Sequence, residues 1–193
     1  MAKLSSPSCD RNKQPIVEQL SHYFKDSKRV LEIGSGTGQH AYFFASQLPH
    51  LNWHTSDRPE SHPSIHAWIA HSDSENIIKP IEFTVGIDGW PNPDIDAVFT
   101  ANTTHIMQPH EAKTMMEMVA NNLPKGAIFC QYGPMNVEGN FTSESNQAFD
   151  QTLKQRGFGG IQDIEQLIIW AEGLDLIATI PMPANNFLLV WEK

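Results

Sequence analysis

The chain has 193 residues, 40% of them hydrophobic and 18% charged, enough for a domain of ordinary size to bury roughly 70% of its unfolded surface without disulfide or metal staples. With 13 Lys and Arg against 22 Asp and Glu the formal charge is −9. A surface this acidic repels phosphate backbones and anionic bilayers, which argues against nucleic acid and membrane as partners.

Two cysteines, Cys9 and Cys130, with no CxxC pair, fit a reduced cytoplasmic protein. Residues 1–10 lack the apolar core of a signal peptide. No run approaches the ~20 apolar residues of a membrane helix. Residues 1–10 read as irregular. Ile16, Val17, Leu20, Tyr23 and Phe24 then share one helical face, with Pro15 near that helix's first turn. Residues 29–33 read as a buried strand, 34–38 as a glycine turn, and 39–48 as a helix closed by Pro49. A second strand covers 51–55 and ends at Ser56 and Asp57. A short helix carries Ile65, Trp68 and Ile69, and a polar loop covers 71–80. Strands at 81–85 and 96–101 flank a Gly-, Pro- and Asp-rich connection, 86–94.

Met115, Met118, Val119 and Leu123 repeat at helical spacing over 111–123, and Pro124-Lys125-Gly126 breaks that helix. A fifth strand follows at 127–131, then helices at 143–154 and 161–172. Ser143 or Thr142 is placed to cap the first of these. Strands at 174–180 and 187–191, joined by few residues, form an antiparallel hairpin. Asn185 and Asn186 are suited to its unusual backbone angles. Strand–helix alternation with buried strands predicts an α/β fold. It is a three-layer, Rossmann-like arrangement with a mostly parallel seven-stranded sheet and an antiparallel C-terminal hairpin. No linker or repeat divides 1–193, which reads as a single domain.

Leu31-Glu32-Ile33-Gly34-Ser35-Gly36-Thr37-Gly38 sets glycines between a strand and a helix. Glycine permits the sharp turn and a close backbone approach to a ligand, and the helix N-terminus offers unpaired N–H groups. No lysine follows, which removes the clamp of a nucleotide-triphosphate loop. Asp57, 19 residues after Gly38 at the next strand end, can accept both hydroxyls of an adenosine ribose. Two groups of proteins use this pattern, dinucleotide enzymes and S-adenosylmethionine binders. Glu32 before the first glycine and the closing hairpin resemble the class I methyltransferases.

The resemblance goes closer. Asp10-Arg11-Asn12-Lys13-Gln14-Pro15-Ile16, the glycine turn, Ala101-Asn102-Thr103-Thr104-His105-Ile106, Tyr132-Gly133-Pro134, Phe141-Thr142-Ser143-Glu144-Ser145-Asn146 and Pro183-Ala184-Asn185-Asn186 together resemble the DUF938 family, also called UPF0585 or methyltransferase-like 26. The resemblance spans nearly the whole chain. It implies methyl transfer from S-adenosyl-L-methionine by in-line displacement and names no acceptor.

On this reading Glu32, Gly34, Ser35, Gly36, Thr37 and Gly38 meet the methionine half of the cofactor, and Asp57 meets the ribose. Arg58 lies along the adenine or in solvent. Asp88 sits near the adenine amino group or caps a turn, and Asn102 faces the cofactor amino group. Arg11 and Asn12, in a leading segment 1–25 that covers the cleft, complete the cofactor set or form a solvated helix start. Thr103, Thr104, His105, Tyr132 and Asn136 are the candidate acceptor residues. His105 is the candidate base, because its ordinary pKa is near neutral, and Tyr132 would close over the methyl group. Their plainer roles are packing and helix starts.

The histidines show no metal-ligand spacing, so no metal is expected. Cys130 reads as a core hydrophobe. Cys9 is more exposed and has no neighbouring base in the sequence. Ala101-Asn102-Thr103-Thr104 lacks the Asn/Asp-Pro-Pro-Tyr/Phe of enzymes that methylate flipped bases. A small-molecule acceptor is therefore expected first and a protein side chain second. The rivals are a catalytically silent cofactor-binding or interaction protein, and an NAD-dependent oxidoreductase. The sequence assigns no oligomeric state.

Overall fold

The computed structural model describes residues 3–91 and 94–193; Met1 and Ala2 of the irregular start, and Asn92 and Pro93 of the 86–94 connection, lie outside the described residues. The strands order as β3-β2-β1-β4-β5-β7-β6 in a seven-stranded sheet. The chain divides into two compact units, Met1–Thr100 and Ala101–Lys193.

In the first unit α1 spans Pro7–Tyr23 and buries Asn12, Ile16, Val17 and Leu20. It starts earlier than the sequence suggested. Pro7 takes the first helical position, where a missing N–H costs nothing, and Pro15 lies inside the helix. Pro15 has no N–H to donate to the carbonyl of Arg11, four residues earlier, and Arg11 is an exposed residue.

Strands β1 (Arg29–Ile33) and β2 (Asn52–Asp57) pair in parallel from Arg29↔Asn52 to Ile33↔Ser56. β1 also pairs in parallel with β4 (Ala97–Ala101). Helix α2 spans Gln39–Gln47, and a 3₁₀ turn at Pro59–Ser61 leads into α3, His62–Ile69.

The third strand, β3, is Ile77–Glu82 and not 81–85. Pro80 hides this strand in the sequence, because proline is excluded from central strands. β3 is the sheet edge, where the missing N–H needs no partner, and the pairing with β2 shifts register between His54 and Ser56. The stretch read as a polar loop holds an anchor: Asn76 Nδ2 donates to the carbonyls of Ala45, Leu48 and Leu51 at 3.0, 3.3 and 2.7 Å. Phe44, Trp53 and Phe99 meet ring to ring at 5.4–5.8 Å in the core.

The second unit holds α4 (Pro109–Asn122), β5 (Ile128–Gly133), α5 (Glu144–Gln155), α6 (Ile164–Trp170), β6 (Asp175–Met182) and β7 (Asn186–Glu192). Ser143 caps α5, its Oγ accepting from Asn146 N–H at 3.1 Å. Helix α6 starts three residues later than expected because Asp163 caps it through Glu165 N–H. β7 runs antiparallel to β5 and β6.

The hairpin turn sits one residue earlier than expected. Ala184 (φ 59°) and Asn185 (φ 57°) take the left-handed angles. Asn186 already pairs with Met182, and its side-chain amide donates to the carbonyls of Pro183 and Ala184.

Candidate functional site

In the first unit, β1 runs out at Ile33 and the chain turns through Gly34 (φ 75°), Gly36 (φ 57°) and Gly38 (φ 89°) into α2. Gly34 and Ser35 donate their N–H groups to Ser56 O at 3.1 and 2.9 Å, which ties the turn to the end of β2. At Gly38 a Cβ would stand 2.9 Å from Ile65 Cα, so α3 rests directly on this backbone. At Gly36 a Cβ would meet nothing within 4 Å. Two glycines of one turn therefore serve different ends: Gly38 lets α3 pack, and Gly36 keeps the outer face of the turn open.

Asp57 lies against that open face. Its Oδ2 accepts from Gly36 N–H at 2.7 Å and its Oδ1 from Arg58 N–H at 2.7 Å. A carboxylate offers about four acceptor positions, so capacity remains for two further donors. Arg58 itself is exposed. Thr37 accepts Ser64 Oγ–H on its carbonyl at 2.8 Å.

Glu32 faces the interior, 2% exposed. Its Oε2 accepts from Ser35 Oγ at 2.9 Å and from Trp53 Nε1 at 3.0 Å. Ser35 Oγ in turn accepts Ser56 N–H at 3.1 Å. The pair braces the turn from below. Burial pushes the Glu32 carboxyl up to about 7; the Trp53 and Ser35 bonds pull it down, and the charge of Asp57 adds to the rise. Asp88 caps its own turn, Oδ2 accepting Thr84 N–H at 2.7 Å.

The N-terminal segment is fastened to α2 and α3. Leu4 N–H donates to Ser64 Oγ at 3.1 Å, Trp68 Nε1 donates to Leu4 O at 2.7 Å, and Ser6 N–H donates to Gln39 Oε1. Asn12 is buried, its Oδ1 2.8 Å from His40 Nε2. Arg11 is exposed and reaches Ser8 Oγ.

In the second unit Asn102 holds a left-handed backbone (φ 59°), which asparagine tolerates, and donates its N–H to Tyr132 O at 2.9 Å. Thr103 Oγ1 donates to Ala101 O. Thr104 is buried, its Oγ1 accepting from Gln131 Nε2 at 2.8 Å, and Gln131 Oε1 accepts Trp191 Nε1–H at 3.2 Å.

His105 is buried edge-on to Phe149 at 5.3 Å, and burial pulls its pKa down to about 4. Its carbonyl accepts Gly160 N–H. Tyr132 lies inside β5, buried and opposite Leu188, rather than after the strand. Asn136 donates from Nδ2 to Ile161 O at 3.4 Å, but its Oδ1 is buried without a partner among the described residues. Such an oxygen costs about 1–3 kcal/mol unless a ligand or water donates to it.

Sequence reading missed Gln131, Gly159 and His40. A Cβ on Gly159 would fall 2.0 Å from Met107 O, so Gly159 is what lets the chain close on Met107 and Gln108. His40 gave no signal, because its partner Asn12 lies 28 residues away. Among the described residues no three His, Cys, Asp or Glu side chains gather as a metal site, and no helix is long and apolar enough to cross a membrane.

The most deeply buried ionisable groups contribute to the pH dependence of folding, and the lowered pKa values of His54, Asp10 and Asp163 act in the same sense as those of His40 and His105. His40 and His105, both held at about 4 by burial, stay neutral in the folded chain while the unfolded chain protonates them near 6.5. Their contribution is complete above about 6.5 and is lost as pH falls toward 4. Glu32 acts in the opposite sense: the folded chain keeps its proton to about 7 while the unfolded chain releases it near 4.5, so stability falls as pH rises across that range. Each of these three groups contributes about 1.4 kcal/mol per pH unit inside its window, and two histidines outweigh one glutamate. Urea unfolding is expected to show a net loss of stability below pH ~6.5. Glu32→Gln, whose amide oxygen still accepts from Ser35 and Trp53, is expected to stabilise the protein by about 1–3 kcal/mol at pH 8 and by less at pH 5.

Solved structures share this architecture. The apo S-adenosylmethionine-dependent methyltransferase SibL superposes with a TM-score of 0.81 at 18% identity, covering 96% of this chain and 55% of its own. The O-methyltransferase family 2 protein from Planctomyces limnophilus, in complex with apigenin, gives 0.77 at 16%, covering 94% and 61%. Human N-acetylserotonin methyltransferase in complex with SAM gives 0.75 at 15%, covering 94% and 54%. At these identities the likeness is one of fold, and the chain spans little more than half the length of these neighbours. The fold is that of the S-adenosylmethionine-dependent methyltransferases. Within it, residues 3–193 match the model of DUF938, a protein of unknown function, and the chain belongs to that family.

Proposed function

We propose that the chain binds S-adenosyl-L-methionine and transfers its methyl group to a small-molecule acceptor by in-line displacement. One observation carries the reading: the Asp57 carboxylate at the end of β2, 2.7 Å from Gly36 N–H on an open glycine turn. The residues suit the ligand. Gly36 leaves room for close approach, Asp57 retains acceptors for ribose hydroxyls, and no lysine clamps a phosphate. Asp57 above the turn and Glu32 below it make a poor seat for a pyrophosphate and a favourable one for a cation.

When bound, the cofactor supplies a methyl carbon on a sulfonium leaving group. The chain's part is to hold and align. Gly34 to Gly38 seat the methionine half and Asp57 the ribose, with Arg58, Asn102 and Arg11 as further contacts. Asp88 accepts Thr84 N–H on Oδ2 and keeps acceptor positions for the adenine amino group. Glu32, Ser35 and Asn12 act behind the contact surface.

On the acceptor side Thr103 and Asn136 are the candidate polar residues, while Thr104 and Tyr132 hold the loop in shape. His105 is held neutral by burial, with a pKa pulled down to about 4, so as the base it would take a proton only as the acceptor bond forms, and most of the catalysis rests on positioning. Residues 1–193 then act as one domain, with 1–25 at the cofactor cleft.

Calorimetric titration with S-adenosylhomocysteine and with NAD tests this. Binding of the former alone is expected. Binding of NAD alone makes the protein a nucleotide enzyme. Turnover of labelled methyl donor over a metabolite extract then separates the enzyme from a silent cofactor-binding protein.

A further inference from the structure

Cys9, His40 and Asn12 form a cluster that the proposed transfer does not use. Cys9 Sγ lies 3.9 Å from His40 Nδ1, and His40 Nε2 lies 2.8 Å from Asn12 Oδ1. An amide oxygen only accepts, so Nε2 carries the imidazole proton and Nδ1 turns its lone pair to the thiol. The ring is fixed by stacking on Phe44 at 5.1 Å and by the edge contact with Phe99 at 6.2 Å. A nucleophile within reach of a base that a third group orients is the arrangement that activates thiols. The half-buried Cys9 also stands in the first turn of the 17-residue α1, where the helix end favours negative charge.

We propose that Cys9 is a histidine-assisted nucleophile and a covalent modification site for small uncharged carbon electrophiles of the enone type. The sulfur lone pair forms a bond to the β-carbon while His40 Nδ1 takes the thiol proton. The π pair of the C=C bond moves to the α-carbon, which receives that proton. A thioether forms and nothing is released.

The surroundings set how this step runs. Burial is the largest influence on Cys9 and raises its pKa. Hydrogen bonds to Ser6 and Thr37 lower it, and the carboxyls of Glu32 and Asp10 raise it. Burial, and then the charge of Lys13, lower His40 to about 4. The resting pair is thiol and neutral imidazole, and the proton moves only as the carbon bond forms. The same two carboxyls repel anionic reagents. Because the thiol bonds to Thr37, an adduct would sit beside the glycine turn.

N-ethylmaleimide labelling of the full chain, read by peptide mass spectrometry, tests the inference, with the fully buried Cys130 as internal control. The Cys9 rate is expected to change little between pH 5.5 and 7.5, where an unassisted thiol gains about tenfold per pH unit. His40→Phe, which keeps a ring against Phe44, is expected to slow labelling at pH 6 at least about tenfold. Asn12→Leu, which frees the imidazole to turn, is expected to slow it less and to restore the pH slope. Iodoacetate is expected to lag behind iodoacetamide by more than it does with free cysteine. A wild-type rate that climbs tenfold per pH unit, or rates equal in wild type and both variants, overturns the assisted thiol. An unchanged iodoacetate ratio overturns the selection for uncharged reagents.

Discussion

Gly38→Ala is expected to cost about 2–5 kcal/mol of folding stability, a large share of the ~5–15 kcal/mol of an ordinary domain. Two effects add. A φ of 89° penalises any side chain by about 1–2 kcal/mol. The new Cβ also meets Ile65 Cα at 2.9 Å, and a backbone atom of a packed helix cannot rotate aside, so overpacking adds about 1–3 kcal/mol. Gly36→Ala separates the two effects. Its φ of 57° carries the strain alone, in open space, so stability should fall by only about 1 kcal/mol. Its methyl group would stand where a ligand must approach, so S-adenosylhomocysteine binding should weaken at least about tenfold, the effect of ~1.4 kcal/mol. Urea titration and calorimetry on both variants give the contrast. A Gly36→Ala protein that binds as well as wild type would show that the ligand does not lie on this turn.

The same turn marks what a sequence carries and what it does not. Glycines between an apolar strand and a helix, followed by a carboxylate at the next strand end, are local features, and Gly34 to Gly38 and Asp57 were legible from them. The seven strands were legible wherever apolar periodicity was unbroken. β3 was not, because Pro80 interrupts Ile77, Ile78 and Ile81, and only its place at the sheet edge makes the proline tolerable.

Side-chain partners were the least legible. Glu32 reads as an acidic residue facing a ligand, yet Trp53, 21 residues on, draws it inward. Thr104 reads as a loop hydroxyl, yet Gln131 and Trp191 take it into the interior. Cys9 had no base within its own segment, and the base arrives from α2. In each case the partner is fixed by strand register or helix packing, and no local pattern encodes it.

Asp57→Ala is expected to weaken S-adenosylhomocysteine binding by about 100-fold, some 2.7 kcal/mol, if the carboxylate takes both ribose hydroxyls. Hydrogen bonds to a charged acceptor contribute about 1.5–3 kcal/mol each, and the variant also frees Gly36 N–H and Arg58 N–H, which water can satisfy at this half-exposed position. Asp57→Asn should fall between the two. Its single oxygen can keep Gly36 N–H, but its NH₂ then faces Arg58 N–H, donor against donor.

The substitution has a second readout that needs no ligand. The charge of Asp57 is one cause of the raised Glu32 pKa, so both variants should lower the Glu32 midpoint below its value of about 7. Carboxyl-carbon NMR through a pH titration reads that midpoint directly. A lowered Glu32 midpoint with unchanged affinity would place the ribose elsewhere while leaving the geometry of the turn intact. An unmoved midpoint would mean that the charge of Asp57, the smallest of the causes acting on Glu32, does not reach it across the turn.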